Sequence, residues 1–193
     1  GIDITILAVN LIEKRIRDHF PNANFIVKGI PKDVPSAQKL ASTRKGKFLF
    51  EQWFVTILGG QPYKSSGGGD TGIDGFMYFR DVENKLHTIV IQVKGGNYTP
   101  NDVRAMRTVV ENRDAAMGIL LALKPPTKGM LAEAASAGRF QMPRQPLLNY
   151  PKIQIFTVED YFNGKRPEAP DVSNTLKKAK RILRERETQP ELF

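Results

Sequence analysis

Ile73-Asp74-Gly75-Phe76-Met77-Tyr78-Phe79-Arg80 and His87-Thr88-Ile89-Val90-Ile91-Gln92-Val93-Lys94 decide how this 193-residue chain folds. They read as two strands joined by the polar, turn-like stretch Asp81 to Lys85. Side chains alternate faces along a strand, so Thr88, Val90, Gln92 and Lys94 line one face while Ile89, Ile91 and Val93 are buried on the other. Gln92 and Lys94 therefore project together at the strand's end, just before the break at Gly95-Gly96. In an antiparallel pair the start of one strand lies beside the end of its partner, which brings Asp74 next to Gln92 and Lys94. A carboxylate, an amide oxygen, the Val93 carbonyl and an ammonium are expected to converge at one sheet edge.

Upstream of this pair, Ser65-Ser66-Gly67-Gly68-Gly69 reads as a flexible loop. Before it, Lys47 to Leu58 reads as a helix with Phe50, Trp53, Phe54, Ile57 and Leu58 at spacings of three and four, ended by Gly59-Gly60. Ile4 to Phe20 is a further helix stopped by Pro21, Phe25 to Val27 a short strand, and 29–45 a linker or short helical excursion.

Downstream, Thr99-Pro100 opens a helix reaching about Arg113, packed through Val103, Met106, Val109 and Val110. Ala115 to Leu123 is a continuous apolar run, the pattern of a strand covered on both faces. A small-residue helix (Thr127 to Ala137), a strand (Lys152 to Phe156) and a short helix ending at Gly164 follow. This order predicts an α/β domain with a central mixed sheet flanked by helices. We divide the chain into an N-terminal helix with a basic linker (1–46), an α/β core (47–164) and a basic tail (165–193). The tail is expected to be mobile, with a basic helix over Leu176 to Glu187.

Composition narrows the chemistry. The chain has no cysteine, which excludes a disulfide scaffold, a thiol nucleophile and cysteine-ligated metals. With His19 and His87 the only histidines, a three-histidine metal site is excluded as well. No apolar run reaches the roughly 18 residues of a membrane span, and the absence of cysteine and of a signal peptide suits the cytoplasm. The net charge is +9 and the pI near 9.8, a balance that favours polyanionic partners. Residues 1–50 carry nine Lys/Arg against four acids, and 164–193 carry eight against five, while the middle is close to neutral.

The Asp74, Gln92, Val93 carbonyl and Lys94 cluster suits phosphodiester hydrolysis. A hard divalent ion such as Mg²⁺ (or Mn²⁺) takes oxygen ligands and keeps several waters. It polarises phosphate and activates a bound water, and a lysine can orient that water or stabilise the developing charge. Glu51 shares a helix face with Phe54, Val55 and Leu58, and an inward-turned acid is costly unless it is paired or binds a cation. It is therefore a further candidate ligand, and Asp70 in the glycine loop a weaker one. Taken singly, Lys94 ending an exposed strand and Asp74 capping a turn would be ordinary structural residues. Arg104 and Arg107 lie on one helix face near the strand end and, with Lys64, are the candidates for gripping nucleic acid.

These residues resemble the PD-(D/E)XK nuclease core, and within it the Mrr-like restriction endonuclease branch, which uses Gln-x-Lys where most members have Glu-x-Lys. Four runs carry a closer likeness: Gly69-Asp70-Thr71-Gly72-Ile73-Asp74-Gly75, Val90-Ile91-Gln92-Val93-Lys94-Gly95-Gly96, Pro125-Pro126-Thr127, and Tyr150-Pro151-Lys152-Ile153-Gln154-Ile155. They resemble the nuclease-like C-terminal region of bacterial adenine DNA methyltransferases. The resemblance covers roughly Ile12 to Gly164. It implies metal-dependent cleavage of double-stranded DNA within a restriction-modification system, with Asp74 and Glu51 as metal ligands, Gln92 at a ligand position and Lys94 as the catalytic lysine. Gln92 departs from the wider superfamily by being neutral, which lowers the negative charge offered to a metal.

No methylase motif is present in these residues, so a methyltransferase would be a partner or a fused domain. A homodimer would supply the two active sites that double-strand cutting uses. The competing expectation is a non-catalytic DNA-binding module that keeps the nuclease fold beside a methyltransferase. A third is an RNA nuclease on the same fold.

Overall fold

The computed structural model describes residues 6–63 and 72–171. Three helices come first: α1 (Ile6–His19), α2 (Val34–Ala41) and α3 (Arg44–Ile57). Strands β1 (Gln61–Pro62), β2 (Gly75–Arg80) and β3 (Leu86–Lys94) follow, then helix α4 (Pro100–Asn112) and strand β4 (Met117–Ala122). The chain continues through α5 (Lys128–Ser136), β5 (Arg139–Gln141), β6 (Asn149–Pro151), β7 (Ile153–Thr157) and α6 (Val158–Phe162).

One mixed sheet of five strands, in the order β1-β2-β3-β4-β7, forms the middle layer. β1, β2 and β3 pair antiparallel, whereas β3, β4 and β7 run parallel. The alternation read in the sequence separates the two cores. Ile89, Ile91 and Val93 pack with Phe50, Trp53 and Phe54 of α3 on one face. Val90 packs with Val103, Met106 and Val110 of α4 on the other, where Met130 and Ala134 of α5 join them. β4 is buried at every position, because helices cover both of its faces.

Local chemistry sets the helix starts. Asp33 and Ser36 form a reciprocal capping box at the start of α2, and Thr43 accepts the Gly46 amide at the start of α3. The excursion expected within 29–45 is thus a capped helix. Phe25 to Val27 is not a strand: it pairs with no strand among the described residues, and the Arg17 guanidinium lies over the Phe25 ring, 4.8 Å from its centre. The strands of the two-stranded β5–β6 ribbon have three residues each, too few to show a period in the sequence. The expectation of a mobile tail fails for 165–171. There the Gln154 side-chain amide donates to the Glu168 carbonyl at 2.7 Å and accepts from the Glu168 backbone amide at 2.9 Å, and Ala169 packs on the core. The basic helix expected over Leu176 to Glu187 lies outside the described residues.

Candidate functional site

The last rung of the β2–β3 ladder pairs Gly75 with Ile91, so Asp74 falls opposite Gln92, one position beyond it. The Asp74 amide donates to the Ile91 carbonyl at 2.9 Å, and its carbonyl accepts from Tyr63 at 2.8 Å. Past the ladder's end, the Val93 amide has no β2 carbonyl to meet. It donates instead to Asp74 Oδ2 at 2.6 Å, a short charge-assisted bond. Amide and carbonyl of one extended residue point to the same side, so the Val93 carbonyl leaves the strand toward Asp74.

Two glycines permit this crowding. Gly72, at φ +64°, stands where a Cβ would come within 2.9 Å of Gln92 Nε2, so the chain entering β2 passes close over the Gln92 amide. At Gly75 a Cβ would meet Val55 Cγ1 at 2.6 Å and the Gln61 carbonyl at 2.9 Å. The missing side chain lets α3 settle onto β2 at Val55, one helical turn beyond Glu51. Glu51 is half-buried, and together with Phe48, Gln52, Pro62, Tyr63 and Asp74 it lines a cleft of about 60 Å³. That space admits an ion and a few waters.

Lys94 ends β3 on the face of Gln92, and its ammonium donates to Asp102 Oδ1 at 2.8 Å. Asp102 is the third residue of α4, and its Oδ2 accepts from both the amide (2.7 Å) and the hydroxyl (2.8 Å) of Thr99. Burial works against ionisation of Asp102, yet the Lys94 and Thr99 hydrogen bonds and the Lys94 charge outweigh it, holding its carboxyl below the ordinary range. Asp102 was not singled out in the sequence, although Thr99-x-x-Asp102 is a capping-box pattern that marks it.

The structure brings Asp74, Val93 and Gln92 together at one strand end, sets Glu51 in the same cleft as Asp74, and places Lys94 at that strand end with its ammonium on Asp102. Among the described residues, no three His, Asp or Glu side chains stand close enough together to hold a metal ion. Lys64 and Asp70 lie outside the described residues. Arg104 and Arg107 are exposed on α4 but already engaged. Arg104 donates to Asn101 and to Glu133, both at 2.8 Å, and Arg107 to Glu111 at 3.0 Å.

A family model matches residues 47–162, from within α3 to the end of α6 and more than half of the chain. This chain belongs to the NACHT-associated inactive Restriction Endonuclease 1 family. Its five-stranded mixed sheet with flanking helices is accordingly a restriction-endonuclease-like fold. Among solved structures it is similar to the MspJI restriction endonuclease in complex with a 27-mer oligonucleotide. The TM-score is 0.44 at 14% identity, over 76% of this chain and 36% of that one, so this chain spans about a third of that protein. No curated protein matches the chain. The span matched by the inactive Restriction Endonuclease 1 family holds the candidate site of this chain: Glu51, Asp74, Gln92, Lys94 and Asp102 all fall inside it. No helix of the described residues is long and apolar enough to cross a membrane.

Proposed function

We propose that this domain is a metal-dependent endodeoxyribonuclease of the Mrr-like type, working at the Asp74–Lys94 strand end beside a methyltransferase in a restriction-modification system. The observation that carries this reading is the 2.6 Å bond from the Val93 amide to Asp74, with Glu51 in the same cleft. The donor set fits a hard cation. Two carboxylates (Asp74 and Glu51), the Val93 carbonyl and the Gln92 amide oxygen are all oxygen ligands, and Mg²⁺ commonly binds through one or two carboxylates plus substrate phosphate and water. When bound, such an ion polarises a phosphate oxygen and lowers the pKa of a coordinated water.

The chain's own residues supply the rest. Asp74 and Glu51 would hold the ion, the Val93 amide fixes the Asp74 carboxylate, and Lys94 offers a compact positive charge toward the phosphate. The name of the family calls it inactive, yet this chain keeps the acid, the Gln-x-Lys strand end and the helix acid together. Cutting both strands of duplex DNA would take two copies of the site.

A second reading, a non-catalytic DNA-binding module on the nuclease fold, is favoured by the neutral Gln92 and by the description of the matched family as inactive. Plasmid nicking with Mg²⁺ or Mn²⁺, on methylated and unmethylated DNA, separates the two. Nicking that needs the metal and disappears in Asp74→Asn and Lys94→Ala supports the nuclease. DNA retention without metal-dependent nicking by the unaltered chain overturns it in favour of the second reading.

A further inference from the structure

We infer that Asp102 is a positioning residue for Lys94, holding its ammonium at the strand end through the capping box of α4. The inference rests on the proposed nuclease role of Lys94. Lysine is a flexible four-carbon chain carrying about 2 kcal/mol of rotamer entropy, so a free ammonium at a strand end is poorly placed. Asp102 removes that freedom because each of its oxygens has a separate task. Oδ2 is fixed by the amide and hydroxyl of Thr99, and Oδ1 takes Lys94 at 2.8 Å. The side chains of Lys94 and Asp102 are 23% and 28% exposed, so solvent screens the pair only partly.

The segment between the two residues is itself anchored. Tyr98 is buried and donates to the Lys124 carbonyl at 3.0 Å, while the Lys124 ammonium donates to Asn97 at 2.7 Å. Residues 95–99 are thereby tied to the segment that follows β4, and the start of α4 is held relative to the end of β3. Lys94 retains two further N–H groups for a phosphate while Asp102 keeps the third. A cap alone would use only Oδ2; the second oxygen, turned to Lys94, is what the capping role does not require.

Asp102→Asn and Thr99→Val separate the two roles. Asparagine keeps an acceptor for the Thr99 amide but loses the charge that binds Lys94. Valine removes the Thr99 hydroxyl but leaves the Asp102–Lys94 pair in place. The Lys94 ammonium, assigned by its absence in Lys94→Arg, is followed by ¹H–¹⁵N correlation. We expect a distinct, slowly exchanging signal in the unaltered protein and in Thr99→Val, and its loss in Asp102→Asn. In metal-dependent nicking, Asp102→Asn is expected to lower kcat by about tenfold with KM for DNA unchanged, as for a displaced catalytic group. Thr99→Val, which keeps the Thr99 amide on Oδ2 and Lys94 on Oδ1, lowers melting temperature and lowers kcat by clearly less than Asp102→Asn.

A Lys94 signal that survives unchanged in Asp102→Asn overturns the inference, whether or not the protein cuts DNA. A kcat that falls equally in Thr99→Val and Asp102→Asn overturns it too, by making Asp102 a cap alone. If the unaltered chain fails to nick DNA, the nuclease reading is lost while the ammonium signal still decides the role of Asp102.

Discussion

The Val93 amide donates to the Asp74 carboxylate at 2.6 Å where the β2–β3 ladder has already ended. A side chain there takes the place of a backbone acceptor, so Asp74 closes the sheet and faces the Glu51 cleft at once. Asp74→Ala would leave a buried amide with no acceptor, at a cost of roughly 1–3 kcal/mol. Asp74→Asn keeps an acceptor and is expected to cost about 1 kcal/mol or less while still abolishing metal-dependent nicking. Urea unfolding of the two variants checks this. Equal stabilities for Asp74→Ala and the unaltered protein would show that the bond contributes nothing.

Gly75→Ala and Gly118→Ala both add one methyl to a filled space, and each is expected to destabilise by roughly 1–3 kcal/mol. At Gly118 the new Cβ would meet Val110, Met106 and Ile153 at 2.7, 2.9 and 3.0 Å, on the α4 face of the sheet. At Gly75 it would push on Val55 and the Gln61 carbonyl, lifting α3, and with it Glu51, away from Asp74. Nicking should therefore suffer more in Gly75→Ala than in Gly118→Ala at matched stability. The reverse order would mean that Glu51 does not depend on the close approach of α3.

Acid should weaken the fold in a defined window. His87 donates to Asp81 at 2.8 Å, and Asp81 also accepts the amides of Glu83 and Lys85, so its carboxyl titrates below the ordinary range despite the opposing effect of burial. Asp160 and Asp102 are lowered as well: burial raises each, but the lysine partner and the capping hydroxyl prevail. A folded pKa below the unfolded value gives stability that is present above about pH 4 and lost as pH falls through the lower folded values. The melting temperature is expected to hold from neutral pH to about pH 5 and to fall below about pH 4. Asp81→Asn should make that acid decline shallower, and an unchanged profile would remove Asp81 from the account.

DNA binding should depend steeply on salt, and the contributions should be unequal. Arg104 and Arg107 are paired with Glu133 and Glu111, so releasing them for phosphate gives up an existing partner. Alanine at either position is expected to lower the log–log salt slope by less than the roughly 0.9 of a full phosphate contact. Ending the chain after Asp171 removes six Lys/Arg against three acids and should flatten the slope further while leaving the core intact. Titrations across a range of salt concentrations measure both. An unchanged slope after truncation would move the grip to residues 1–50 and the core.

Much of this protein is fixed by short-range pattern. Alternation over Thr88 to Lys94 assigns the two faces of β3, the unbroken apolar run places β4 in the centre, and Thr99-Pro100 marks the start of α4. The position of Asp74 opposite Gln92 follows from antiparallel pairing alone. Other features were decided only in three dimensions. The close packing of α3 at Gly75 depends on which helix the sheet face receives, and no local period records that. The Lys94–Asp102 pair spans the turn at Gly95-Gly96, which Asn97 and Tyr98 fasten to Lys124, far along the chain. Backbone period is a property of neighbouring residues, whereas the placement of an ammonium depends on how two separate elements are held against each other.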